Sequence, residues 1–151
     1  MKTVRFVFTA LLPALIASLL LTLPTHAASY RIWTCKGHSQ VEGFRKLQIN
    51  ILQDRDSHEF KATLSEGFTA QIATETWKVS ESESSNGKSA EYKNLSSSSF
   101  HLTVDKTQKA RVDNVEGFEA TANLSYVVVS HRAGVQPKVL MIEASLACRY
   151  E

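Results

Sequence analysis

The feature that most narrows what this chain can become is a period of two. From Arg31 to Cys148, apolar residues recur at every second position in one short run after another, and no segment beyond residue 30 sustains an apolar repeat at helical spacing. Leu47, Ile49 and Ile51 alternate with Lys46, Gln48 and Asn50. Phe60, Ala62 and Leu64 alternate with Glu59, Lys61 and Thr63, and Phe100, Leu102 and Val104 with His101, Thr103 and Asp105. The longest stripe is Phe118, Ala120, Ala122, Leu124, Tyr126 and Val128; the last is Leu140, Ile142, Ala144, Leu146 and Cys148. Arg31–Cys35 reads as the first strand and Phe68–Val79 as the fourth. Weaker runs stand at Ala90–Leu95 and Ala110–Val115. Alternate side chains of a strand point to opposite faces, so each run has one dry and one wet side.

Turn residues separate these runs at hairpin intervals. Lys36-Gly37-His38, Asp54-Arg55-Asp56-Ser57, Asn86-Gly87 and the segment His131–Lys138 are the expected turns, and the polar run Ser96–Ser99 reads as a bulge, a turn or a frayed edge. Glu-Gly-Phe occurs three times, at Glu42-Gly43-Phe44, Glu66-Gly67-Phe68 and Glu116-Gly117-Phe118. Each copy opens a strand, which reads as repeated hairpin punctuation: a glycine free to turn and a phenylalanine at the core's rim.

Antiparallel strands with one wet face must bury the other face against more sheet. The expectation is a single all-β domain, an antiparallel up-and-down barrel of about eight strands, with a two-sheet sandwich as the alternative. Cys35 and Cys148 are the only cysteines, 113 residues apart in the first and last strands. A disulfide between them favours closure, because in an up-and-down barrel those strands are neighbours. The absence of a Cys-x-x-Cys pair argues against thiol redox chemistry.

Residues 1–27 read as a cleaved signal peptide. Lys2 and Arg5 precede the apolar run Phe6–Leu23, and Thr25 and Ala27 are the small residues before the cut. The working domain is then 28–151, exported to the periplasm or secreted, with no membrane span after cleavage. Lys2 and Arg5 carry the whole net charge of +2, so that domain is neutral. A neutral domain without a basic run is a poor partner for nucleic acid.

No catalytic pattern stands out. His38, His58, His101 and His131 have no metal-pair spacing, and no Gly-x-Ser-x-Gly turn raises a nucleophile. The expectation is a protein that is not an enzyme, without cofactor or metal. It would be a binding protein of the bacterial envelope, holding a small apolar ligand or a protein partner. The alternatives are a small periplasmic hydrolase, or a structural, assembly or inhibitor protein. Trp33 and Trp77 are the candidate contact residues. Trp33 shares a face with Cys35, so its indole packs near the bridge. Trp77 falls opposite Phe68 and Ile72, which makes it either an exposed contact or the sign of a register shift.

Overall fold

The computed structural model describes residues 29–42, 44–68, 75–128, 134 and 136–151, without the side chains of Tyr126 and Val128. The expected signal peptide, Gly43, most of the Phe68–Ile72 stripe and half of the His131–Lys138 turn lie outside the described residues.

Eight strands run in chain order: β1 (Ser29–Ser39), β2 (Lys46–Asp54), β3 (Phe60–Glu66), β4 (Glu75–Glu83), β5 (Ser89–Asn94), β6 (Phe100–Val112), β7 (Val115–Val128) and β8 (Lys138–Tyr150). Each pairs antiparallel with its sequence neighbour, and β8 pairs back onto β1. This is a closed up-and-down barrel, not the sandwich. Closure leaves no sheet edge to template further pairing. Cys35 stands directly opposite Cys148 in the β1–β8 ladder, and the two are disulfide-bonded.

The inward stripes are those of the alternation. Leu47, Ile49, Ile51, Leu64, Leu102, Leu124, Ile142 and Leu146 are buried. Small residues make room for large ones. Ala62 is opposite Trp77, and Leu102 is followed around the wall by Ala122 and Ala144. Trp77 therefore lies inside, only 7% exposed, with its ring centroid 5.0 Å from that of Phe100. It continues the inward face with Val79, whereas Phe68 lies on the outer wall against Lys36 and Lys46.

Three local readings change. Lys36-Gly37-His38 is strand, and the chain turns only after Ser39. Gly37 marks a close approach of strands: a Cβ there would sit 2.4 Å from the Ser145 carbonyl oxygen and 2.4 Å from Leu146 Cδ2. Ala110–Val115 is not a separate strand. It joins the ends of β6 and β7 around Asp113-Asn114, with Asp113 at φ 50°. Gln48 and Asn50 are not wet. They point outward yet are 3% and 4% exposed, and the Gln48 side chain donates to Asn50 Oδ1 at 2.9 Å.

The Glu-Gly-Phe copies serve different ends. Gly67 has φ +71° and turns the chain, and Phe68 beyond it lies outside the barrel. Gly117 is in β7, where a Cβ would meet the Cys148 carbonyl oxygen at 2.3 Å. Phe44 is buried and Phe118 packs against the core.

A cup at one end of the barrel as candidate functional site

The described interior is packed with side chains, so the recesses that could take a ligand lie at the ends and on the wall. At the end formed by the start of β1, the β4–β5 turn and the end of β8, a recess of about 310 Å³ opens above the core. Its floor is Trp33, Phe60 and Tyr92, and its rim carries Tyr30, Gln53, Glu81, Glu83, Lys106 and Tyr150.

Two irregularities build this rim. Arg31 pairs with Leu52 but Trp33 with Ile51, so Ile32 is an extra residue in β1. The bulge reverses the alternation, so Tyr30 rather than Arg31 faces inward, opposite Gln53. The Tyr30 hydroxyl donates to Gln53 Oε1. In β6 the register slips between Asp105 and Lys109. Asp105 Oδ1 accepts from the Thr107 N–H at 2.8 Å and from Thr107 Oγ1 at 2.6 Å. Those hydrogen bonds hold the slip and keep the Asp105 carboxyl below the usual aspartate range. Lys106, inside the slip, reaches the cup and pairs with Glu83.

The floor is a hydrogen-bonded chain. The Trp33 indole N–H donates to the Tyr92 hydroxyl at 2.9 Å, and that hydroxyl donates to Glu81 Oε1 at 2.6 Å. Tyr92 and Glu81 are opposed in the β4–β5 ladder, which puts the carboxylate over the ring. Burial, and then the Glu81 carboxylate, raise the Tyr92 hydroxyl well above the usual tyrosine range. It stays neutral at physiological pH and serves as an oriented donor, not as a base. Tyr150 stands edge-on to Trp33 at 5.1 Å, Phe118 does so at 6.0 Å, and the Lys109 ammonium lies 3.6 Å from the Phe118 ring centroid. The disulfide, two residues along β1 from Trp33, anchors this side of the floor.

Of the candidate residues read from the sequence, Trp33 is thus in the cup, Cys35 and Cys148 brace its floor, and Trp77 is walled into the core with Phe100. Tyr92, Glu81, Glu83 and Lys106 were missed. The inward parity of Trp77 and Val79 continues to Glu81 and Glu83, beyond the end at Val79 expected for the fourth strand. The described histidines are dispersed: His38 lies 3.7 Å from Asp113, His101 lies 3.9 Å from Glu91, and His58 is in the β2–β3 turn. Among the described residues no three His, Cys, Asp or Glu side chains are grouped to hold a metal.

Fold and cup define a class: a small, disulfide-closed antiparallel barrel with a filled core and an aromatic-floored recess at one end. No protein family, curated protein or solved structure matches the chain. The disulfide is compatible with an oxidising compartment, and no helix among the described residues is long and apolar enough to cross a membrane.

Proposed function

We propose that this chain is an exported, non-enzymatic binding protein of the bacterial envelope that takes a small molecule into the cup. The observation that carries this reading is the Trp33–Tyr92–Glu81 chain at the floor of a concave recess with a mostly polar rim. Concave, mostly aromatic sites with a few oriented polar groups are where proteins hold small ligands. The apolar part of a ligand would rest on Trp33 and Phe60, with its polar part towards Glu81 and the Glu83–Lys106 pair. A recess of this size above a filled core suits a compact molecule better than a long acyl chain.

A fragment screen read by the indole N–H signals of isotope-labelled protein tests this. Fragments that bind should move the Trp33 signal and leave that of Trp77, and Tyr150→Ala should weaken them. Fragments that move neither indole, or bind equally well to Tyr150→Ala, would count against the cup. The second reading is a protein partner on the barrel wall. It draws on Val127, Val139 and Met141, which are exposed together on neighbouring positions of β7 and β8. A silent screen would favour it.

A further inference from the structure

The side chains of the cup accept more than they donate. Of the donors that line it, the Trp33 indole donates to Tyr92, the Tyr92 hydroxyl to Glu81, the Tyr30 hydroxyl to Gln53 and the Lys106 ammonium to Glu83. Gln53 Nε2 donates to the His58 carbonyl oxygen at 3.3 Å. The donors are therefore largely committed within the barrel. The acceptors are not. A carboxylate offers about four lone-pair sites, and among the described residues Glu81 and Glu83 each accept through Oε1. Oε2 of both remains for a ligand.

Charge points the same way. Two carboxylates and one ammonium line the recess, so negative charge is in excess by one. Lys106 is paired with Glu83, while Glu81 has no cation within 4.0 Å among the described residues. The rings of Tyr30 and Tyr150 stand at the rim, 42% and 65% exposed, and the face of an aromatic ring attracts cations.

Resting on the reading of the cup as the ligand site, we propose that its occupant is a compact organic cation: a primary ammonium on an aromatic stem. An ammonium brings three donors and no acceptor, which complements what the rim has left. It would donate to Glu81 and Glu83, with the stem by Phe60 and Tyr150. An anion would instead face Glu81 and have to draw Lys106 away from Glu83. A recess of about 310 Å³ suits a free amine.

Titrations followed by the Trp33 indole N–H signal test this, with phenethylammonium, phenethyl alcohol, hydrocinnamate and Nα-acetyl-lysine methylamide as probes. The amine should bind about fivefold or more tightly than the alcohol, the acid or the lysine amide, and added salt should weaken it. Glu81→Gln keeps an acceptor for Tyr92; it should bind the amine about fivefold more weakly and the alcohol as wild type does. Lys106→Gln should bind the amine more tightly, because Glu83 is released. Alcohol or acid moving the Trp33 signal with the affinity of the amine would overturn the cation and leave the cup standing. Silence from all four probes would also overturn the cation, and the fragment screen then judges the cup by itself. A lysine amide bound as tightly as the amine would overturn a free amine as the occupant. So would amine affinity unchanged in Glu81→Gln or lowered in Lys106→Gln.

Discussion

At the residue scale, the cup depends on one phenol. Tyr92 accepts from Trp33 and donates to Glu81, so Tyr92→Phe leaves a buried indole N–H without its acceptor. Such a loss costs about 1–3 kcal/mol near neutral pH. The raised hydroxyl adds a pH signature. The unfolded chain releases this proton near pH 10.0 while the folded chain retains it. Stability is therefore full below that pH and is lost as pH rises above it. Tyr92→Phe should be less stable than wild type at neutral pH, and its stability should fall less steeply in alkali. Urea midpoints across the alkaline range check this; parallel curves would mean that Tyr92 ionises equally in both states. That Trp33 packs near the bridge was legible because it shares a strand face with Cys35. Its link to Tyr92 was not, because the two are 59 residues apart and meet only across the barrel.

At the scale of elements, the glycines divide by geometry. Gly87 turns the β4–β5 hairpin with φ +67°, and the space around its missing Cβ is open. Gly117 has no positive φ but lies against the backbone of Cys148. Gly87→Ala should then cost about 1 kcal/mol in backbone strain. Gly117→Ala should cost more, about 1–3 kcal/mol, because a strand must shift. Thermal midpoints of the two variants compare them directly, and a Gly87→Ala loss as large as that of Gly117→Ala would contradict the close-approach account. Asn86-Gly87 and Asp54–Ser57 were legible as turns from local chemistry. Asp54 Oδ1 accepts the N–H groups of Asp56 and Ser57 at 3.0 and 2.9 Å, which needs nothing from the rest of the fold. Gly37 and Gly117 were read as turn residues because the close approach of β8 to each of them leaves no mark on their local sequence.

At the scale of the molecule, closure rests on two things: the β1–β8 ladder and the bond between Cys35 and Cys148. The bond closes a loop of 113 residues, so it restricts the unfolded chain by about 4–5 kcal/mol at most. The ladder and the filled core remain after reduction. Reductant should therefore lower the urea midpoint markedly without abolishing the folded state, and Cys35→Ala/Cys148→Ala should behave like reduced wild type in both conditions. A wild-type midpoint insensitive to reductant would remove the bridge from the account of stability.

Local pattern was enough to show that the chain is β, which faces are apolar and where the tightest turns fall, and the cysteine pair favoured the first and last strands as neighbours. Each of those properties rests on residues close together in the chain, or on a cysteine pair with no alternative partner. The rest came from how the strands pack: that a bulge at Ile32 brings Tyr30 to the cup, that Glu81 and Lys106 rise to its rim, and that Gln48 and Asn50 are buried on the outer wall. Those outcomes depend on register and on which distant segment lies across which strand. A one-residue slip in register sends a side chain to the opposite face, and a period of two is unchanged by what later covers it.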